Sequence, residues 1–316
     1  MRIAFFGTRS FDKLYFEPMF REHGDIVRYF EAQISDETVV LARGCEAICV
    51  SSVEQIDEKM ADKLLECGIR LILLRSKGYG KIDVDAVEKK IPIAKVENYS
   101  AESAAEYSVG LLLTVNRQIH RAYARTRDYG ASVSGLLGFN IYGKTVGVIG
   151  TGEVGKRVIE MYSGFKANVI AYDINPDPQL DVKYVSFDEL IEQSDIITIH
   201  CPVNENSRNM INADVMRRMK NGIVIVNTSN QALINLEDLE EMLRIRNKIG
   251  AVAMDLFADE NSLTCDDFNY LIDNEDIVSR LAPFNNVLLT SHLSFFTKDT
   301  LEGIAKETIA NIDKYK

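Results

Sequence analysis

Residues 145–173 read TVGVIGTGEVGKRVIEMYSGFKANVIAYD, and this stretch decides the fold. An apolar run ends in a G-x-G-x-x-G motif, a helical segment follows to about residue 164, and a second apolar run ends in Asp173. Strand, glycine turn, helix and strand in this order predict a βαβ unit that binds a dinucleotide. We expect all six residues of the motif to bind that cofactor: Gly150, Thr151, Gly152, Glu153, Val154 and Gly155.

Each glycine of the motif has a physical task. Gly150 permits a tight turn, Gly152 lets the backbone approach a pyrophosphate, and Gly155 lets the helix pack closely on the strand. The helix N-terminus offers amide donors to phosphate. We expect Asp173 to accept hydrogen bonds from both ribose hydroxyls and to repel a 2′-phosphate, and no Arg or Lys follows it directly. The sequence therefore predicts NAD rather than NADP; the alternative is a glycine-rich turn without a ligand.

Outward from this unit, apolar runs alternate with helical segments along the whole chain. Six runs of the second part are typical of a doubly wound parallel sheet, and they lie at residues 144–149, 168–173, 195–201, 223–228, 250–256 and 286–291. Five shorter runs precede them and predict a second, flavodoxin-like sheet, at residues 2–7, 25–31, 47–52, 71–75 and 93–98.

Two further helices complete the predicted architecture. The apolar periodicity of residues 101–127 predicts one long helix, and a last helix from the N-cap Thr297 is expected to return to the first domain. We predict an α/β fold of two Rossmann/flavodoxin-like domains with doubly wound parallel sheets. Residues 1–99 with 297–316 are the expected substrate domain, and residues 100–296 the expected NAD-binding domain.

The composition excludes several functional classes. The chain has 316 residues, 46% of them hydrophobic and 26% charged, which suits two globular cores. Its net charge of −11 is spread without a basic stripe, so we expect no nucleic-acid partner. Neither a signal peptide nor an apolar run of membrane-spanning length is found, so we expect a cytoplasmic protein without membrane contact. The five cysteines are expected to be reduced thiols, and no metal site is predicted.

Polar residues follow the runs of the second sheet, where an open α/β sheet binds its ligands. They include His200, residues 228–230, residues 255–260 and His292. Hydride transfer to a carbonyl needs a proton donor, and imidazole titrates in the useful range. His292 follows the last run and is the candidate donor, whereas His200 is expected to order a turn beside the cofactor. The alternative for either residue is a structural histidine.

With these residues in place, the chain resembles the D-2-hydroxyacid dehydrogenases, and within them the fermentative D-lactate dehydrogenases. The resemblance runs along nearly the whole chain and is most specific at residues 116–123, 135–155, 200–202 and 292–297. It implies an active site in the cleft between two domains, a small-molecule substrate, and a homodimer joined through the cofactor domains.

The resemblance also implies roles for single residues. It makes His292 the general acid/base, Glu260 its paired carboxylate and Asp255 an acid that tunes the pair. Further cofactor contacts are expected from His200, Cys201, Pro202, Thr228 and Asp255. The substrate is expected to contact Lys77, Gly78, Tyr99, Asn230 and Phe295, with the backbone amides around Lys77 and Gly78 holding its carboxylate.

The chain departs from the family pattern where the substrate carboxylate would bind. The family reads N-T-S-R-G or N-T-A-R-G where this chain has NTSNQ at residues 227–231, so Asn230 replaces the arginine that grips the substrate. That loss is expected to weaken activity on a simple 2-oxoacid roughly tenfold to several hundredfold. Lys77 brings a new ammonium, and Ala258 replaces a glutamate. Three hypotheses follow: a dehydrogenase in which Lys77 or another group replaces the arginine, a reductase of an atypical substrate using Asn230, Gln231 and Lys77, or a non-catalytic NAD-binding protein.

Overall fold

The computed structural model describes residues 1–97, 100–256 and 277–315, and it divides the chain into two units. Unit 1 comprises Met1–Ser100 and Phe296–Lys316, and unit 2 comprises Ala101–Phe295. Three residues that the sequence analysis singled out lie outside the described residues: Tyr99, Ala258 and Glu260.

Both units are built on parallel sheets. Unit 1 contains β1 Arg2–Phe5, β2 Ile26–Tyr29, β3 Ala47–Val50, β4 Leu71–Leu74 and β5 Ile93–Lys95, in the order β2-β1-β3-β4-β5. Unit 2 contains β6 Thr145–Ile149, β7 Asn168–Tyr172, β8 Lys183–Tyr184, β9 Ile196–Ile199, β10 Ile223–Asn227, β11 Ile249–Leu256 and β12 Val287–Ser291. Its order is β12-β11-β10-β9-β6-β7-β8. The predicted fold class, two α/β domains with parallel sheets, is confirmed.

The helices of the described residues follow the strands in alternation. They are α1 Ser10–His23, α2 Glu58–Glu66, α3 Val84–Val87, α4 Ala101–Asn116, α5 Ile119–Arg127, α6 Glu153–Gly164, α7 Phe187–Gln193, α8 Ala213–Arg218, α9 Leu236–Arg244, α10 Ile277–Leu281 and α11 Lys298–Lys314. Within the described ranges, none of these helices has the length and apolar character that a membrane span requires.

The apolar runs explain the two cores. Strands β3, β4, β9 and β10 are buried at every position, because a parallel sheet covered by helices on both faces buries both sets of side chains. In unit 1, the last helix α11 packs on α1 and shares a core with β1, through Phe16, Phe20, Ala305 and Ile312. The Thr297 hydroxyl accepts a hydrogen bond from the Thr300 amide, so the predicted N-cap of α11 is present.

The prediction of one helix over residues 101–127 is wrong, because the chain breaks between α4 and α5. Gln118 adopts a left-handed conformation with φ 52°. Just before it, the Asn116 side chain donates to the Phe139 carbonyl at 2.8 Å and accepts from the Phe139 amide at 3.1 Å. These contacts, made by a residue 23 positions away in sequence, fix the end of α4. Apolar periodicity alone does not report such a contact.

Candidate active site

The glycine turn lies at the carboxyl ends of β6 and β9, where the order of strands in unit 2 reverses. Gly150 has φ 92°, and a Cβ there would lie 2.7 Å from the carbonyl group of His200. A Cβ at Gly155 would lie 2.0 Å from the Gly150 oxygen, which enforces close packing of α6 on the turn. At Gly152, the N-cap of α6, a Cβ would meet no described atom within 4 Å. The first and third glycines therefore make the turn, and the second leaves its outer face open to a ligand.

Asp173 follows β7 and is held by the same turn. Its Oδ2 accepts hydrogen bonds from the Thr151 amide at 2.6 Å and the Thr151 hydroxyl at 3.0 Å, and Oδ1 accepts from the Asn175 amide at 2.8 Å. Partial burial opposes ionisation of Asp173, but these hydrogen bonds outweigh it and lower the pKa of the carboxyl. The side chain is therefore a fixed anion at the edge where a ribose is expected.

His200 follows β9, and its Nε2 lies 2.7 Å from the hydroxyl of Thr198. Thr198 in turn lies 3.1 Å from the hydroxyl of Ser108 on α4. Burial lowers the pKa of His200 to about 3, so the imidazole is neutral near pH 7. The His200 backbone lies against Gly150 in the turn, and a neutral imidazole does not suit a proton donor.

His292 stands in a loop that a buried carboxylate organises. Asp255 of β11 is 1% exposed and accepts hydrogen bonds from the Thr290 hydroxyl at 2.7 Å, the Leu293 amide at 3.0 Å and the Ser294 amide at 2.8 Å. His292 lies between these hydrogen-bonded residues and has φ 51°, a costly conformation for a residue with a side chain. The Asp255 hydrogen bonds hold the backbone on both sides of it.

Two more contacts complete the His292 loop. The Ser103 hydroxyl of α4 donates to the Ser294 carbonyl at 2.7 Å, and the His292 and Phe295 rings lie 4.9 Å apart. The sequence analysis had given Asp255 the role of tuning a proton pair. The three hydrogen bonds of Asp255 give it a structural role as well. Its position at the end of an apolar run in the sequence does not predict that role.

Asn230 is half-buried and engaged locally. Its side-chain oxygen accepts a hydrogen bond from the Ala232 amide at 2.9 Å and caps a short 3₁₀ turn, Gln231–Leu233. Its backbone carbonyl accepts from the Asn227 side chain at 2.9 Å. The sequence analysis missed this capping role, although Asn is a common residue at such positions.

In unit 1, the segment after β4 carries Lys77 and Gly78, and both are exposed. The Ser76 hydroxyl donates to the Gly78 carbonyl at 3.0 Å. The Lys95 ammonium lies 3.4 Å from the Lys77 carbonyl and 4.7 Å from the centre of the Tyr79 ring. The Lys77 ammonium forms no ion pair with any residue that the structure describes, so it is available to an anion.

Arg75 and Gly80, which the sequence analysis did not single out, fix the position of this segment. The buried Arg75 guanidinium donates to the Phe6 carbonyl at 3.2 Å and the Gly7 carbonyl at 2.9 Å. Gly80 has φ 59°, and a Cβ there would lie 1.8 Å from the Ser52 oxygen. The loops after β1, β3 and β4 are therefore joined around the exposed amides at residues 77 and 78.

The protein family follows from comparison with known proteins. The family model described as D-isomer specific 2-hydroxyacid dehydrogenase, NAD binding domain, matches residues 109–294. A 2-hydroxyacid dehydrogenase homolog of Haemophilus influenzae is 39% identical, with 100% of this chain and 96% of that protein covered. The chain belongs to the D-2-hydroxyacid dehydrogenase family.

Solved structures of D-2-hydroxyacid dehydrogenases share its fold. Salmonella D-lactate dehydrogenase superposes with a TM-score of 0.88 at 35% identity, covering 99% of this chain and 96% of that one. The NAD-complexed D-isomer specific 2-hydroxyacid dehydrogenase of Lactobacillus delbrueckii ssp. bulgaricus gives 0.84 at 26% identity, covering 100% and 98%. This chain is an NAD-dependent dehydrogenase, and the predicted cofactor NAD is confirmed.

Unit 2 of the dehydrogenase fits NAD by its own geometry. The open face at Gly152 and the amides of α6 suit a pyrophosphate, and the Asp173 anion suits a ribose. The Nδ1 atom of His200 and the hydroxyl of Thr228 are buried without a hydrogen-bond partner in the described structure, directly after the neighbouring strands β9 and β10. Unpaired buried polar atoms are rare in native proteins, and a polar ligand beside them would account for both. Among the described residues, no group of three or more His, Cys, Asp or Glu side chains could hold a metal ion.

Proposed function

We propose that this dehydrogenase interconverts a 2-oxoacid and a D-2-hydroxyacid, as a D-lactate dehydrogenase does, with His292 as general acid/base. The observation that supports this most directly is the buried Asp255 carboxylate, which holds the loop on both sides of His292. A loop fixed in a strained conformation by three hydrogen bonds is typical of a preorganised catalytic group.

The residues of this chain handle the proton of the reaction. NAD, when bound, supplies or accepts the hydride. In the reducing direction His292 donates a proton to the substrate carbonyl oxygen, and in the oxidising direction it accepts a proton from the hydroxyl. We assign Glu260 as the carboxylate that favours the protonated imidazole by its charge. Asp255 keeps the imidazole in place.

The substitution His292→Asn tests this assignment. We expect turnover to fall by roughly 10²–10⁴-fold, because proton transfer by a positioned group is lost. NADH affinity, measured by fluorescence titration, is expected to stay nearly constant, because the glycine turn and Asp173 lie on other strands. Reduction by the unaltered enzyme should slow as pH rises and His292 loses its proton. Wild-type turnover in the variant would rule out His292 as the acid/base.

A second candidate, reduction of an atypical substrate, is favoured by Asn230. Its side-chain oxygen is already bonded to the Ala232 amide, and asparagine carries no charge to neutralise a carboxylate. We propose that Asn230 stands where relatives carry the substrate-binding arginine. In the first candidate Lys77 supplies the missing positive charge, whereas in the second the substrate has no carboxylate to neutralise. Turnover of NADH with a panel of 2-oxoacids and non-acid carbonyl compounds distinguishes the two candidates. Faster turnover with the non-acid compounds would reject the 2-oxoacid candidate.

We also propose a homodimer joined through the cofactor domain. Helix α5 has no buried residue, and it exposes Ile119 and Tyr123 by 51% and 65%. The segment after it exposes Tyr129, Val133, Leu137 and Tyr142 by 73–99%. Apolar side chains exposed together in this way favour a protein partner, and a second copy is the partner that we propose.

We propose the cytoplasm as the location of the enzyme. Four cysteines of the described chain are free thiols: Cys45, Cys49, Cys67 and Cys201. Reduced thiols are usual in reducing compartments. NAD is used there as a soluble cofactor.

A further inference from the structure

A chain of hydroxyl groups ends on the Asp173 carboxylate. The Asp177 amide lies 3.1 Å from the Tyr184 hydroxyl, which lies 2.9 Å from the Thr151 hydroxyl. The Thr151 hydroxyl lies 3.0 Å from Asp173 Oδ2, and the Thr151 amide donates to the same oxygen. The sequence analysis predicted cofactor contacts for Thr151 and Asp173 but gave Tyr184 no role.

The proton positions in this chain follow from its two ends. A backbone amide can only donate, so the Asp177 N–H donates to the Tyr184 oxygen. An ionised carboxylate can only accept, so Thr151 donates its single hydroxyl proton to Asp173. The Tyr184 proton therefore points to Thr151. All three hydrogen bonds run in one direction, toward the anion, and such aligned chains strengthen one another.

Tyr184 is well placed to hold this arrangement. It lies on β8, whose register pairs Tyr184 with Ala171 of β7, two residues before Asp173. The ring packs against the core of unit 2, so the hydroxyl is anchored to the strand that carries the carboxylate. Thr151 is only 4% exposed and connects the two.

We propose that Tyr184 is a positioning residue for the cofactor: through Thr151, its hydroxyl fixes the Asp173 carboxylate in the orientation that accepts the ribose of NAD and repels the 2′-phosphate of NADP. The inference rests on NAD binding and goes beyond the proposed substrate chemistry. Without the Tyr184 hydroxyl, the Thr151 hydroxyl loses its donor and is oriented only by its own bond to Asp173. The carboxylate then gains orientations that serve NADH less well and oppose NADPH less strongly.

The substitution Tyr184→Phe tests this by titration of the protein with NADH and with NADPH. We expect the Kd for NADH to rise about three- to tenfold, as for one neutral hydrogen bond, and the Kd for NADPH to stay constant or fall. The ratio of the two constants therefore shrinks. Tyr172→Phe is the matched control, because Tyr172 lies on β7 and its hydroxyl forms no hydrogen bond with a described residue. It should leave both constants unchanged.

Two further variants separate positioning from general support of the fold. Thr151→Val should reproduce the change in the ratio, and Thr151→Ser, which keeps the hydroxyl, should restore it. In an Asp173→Asn background, adding Tyr184→Phe should change neither constant, because the residue acts only through that carboxylate. Equal weakening of both nucleotides, an unchanged ratio, or additive effects in the Asp173→Asn background would each overturn the proposal.

Discussion

The charged side chains to which we assign functional roles in the two units are held in different ways. Asp255 and Asp173 are bound by backbone amides and hydroxyls, and these hydrogen bonds fix their positions before any ligand arrives. Lys77 is exposed, and its ammonium has no ion-pair partner in the described part of the chain. A preorganised anion orients neighbouring groups, whereas an exposed lysine acts as a mobile point charge. The two groups should therefore respond differently to substitution.

Lys77 is the residue that we propose to supply positive charge to the substrate, so removal of its ammonium should weaken the reaction. We expect Lys77→Ala to lower kcat/KM for pyruvate by roughly 1–3 kcal/mol in transition-state terms, mostly through a higher KM. Lys89→Ala, which removes an exposed lysine of the same unit, is the control in steady-state assays. Equal activity of the Lys77→Ala variant and the unaltered enzyme would show that the ammonium points to solvent.

The complementary change introduces an arginine at position 230, where we propose that relatives carry one. Asn230→Arg with Gln231→Gly should raise kcat/KM for pyruvate, because a guanidinium can bind a carboxylate with two parallel hydrogen bonds. It also removes the Asn230 cap of the 3₁₀ turn, so thermal stability must be measured alongside. A stable double variant without a gain would mean that the site differs from its relatives at more than these two positions.

At the scale of the elements, neighbouring strands support one another's loops. The loop after β12 is held by a carboxylate of β11, and the segment after β4 is held by Arg75 against the loop after β1. Such cross-strand contacts explain how short loops present functional groups without helices of their own. The position of His292 therefore depends on both β11 and β12.

The β11–β12 contact can be tested with Asp255→Asn. The amide keeps the shape but turns an NH₂ group toward at least one of the three donors, leaving a buried donor unpaired at a cost of about 1–3 kcal/mol. We expect turnover to fall roughly tenfold or more and the urea midpoint to decrease. The exposed Asp214→Asn should change neither quantity. If Asp255→Asn kept full turnover and stability, the loop would not depend on this carboxylate.

The sequence predicts some elements better than others, for physical reasons. The apolar runs predicted eleven of the strands described here. The signal is clearest for the central strands such as β3, β4, β9 and β10, where burial on both faces requires an apolar residue at every position. The two-residue edge strand β8 has no such run and was missed, and with it Tyr184. The break at Gln118 and the capping role of Asn230 depend on particular hydrogen bonds, which composition and periodicity do not encode.

At the scale of the whole molecule, the proposed dimer rests on the exposed apolar surface of α5 and the segment after it. This surface includes Tyr123, Tyr129 and Leu137, which are 65%, 99% and 95% exposed. On a monomer such side chains would favour aggregation, so we expect a second copy to cover them.

Sedimentation of the unaltered enzyme should report a dimer. Leu137→Asp combined with Tyr129→Asp is expected to shift the distribution to monomer, because a charge buried in an apolar interface without a partner is costly. Leu14→Asp, at a leucine of unit 1 that is 68% exposed, should leave the dimer intact. A monomeric unaltered enzyme, or an unchanged dimer in the double variant, would contradict the assignment.

The discontinuity of unit 1 has a consequence for biosynthesis. Phe16 and Phe20 of α1 share their core with Ala305 and Ile312 of α11, yet about 200 residues of unit 2 are translated between them. Phe20 and Ala305 are 285 residues apart, so at a ribosomal rate of about 5–20 residues per second the nascent α1 surface waits roughly 14–57 s for its partner. During that interval unit 2 can fold as an insert, while the first hundred residues expose apolar surface that a chaperone can bind. Completion of unit 1 is thus delayed until α11 leaves the ribosome.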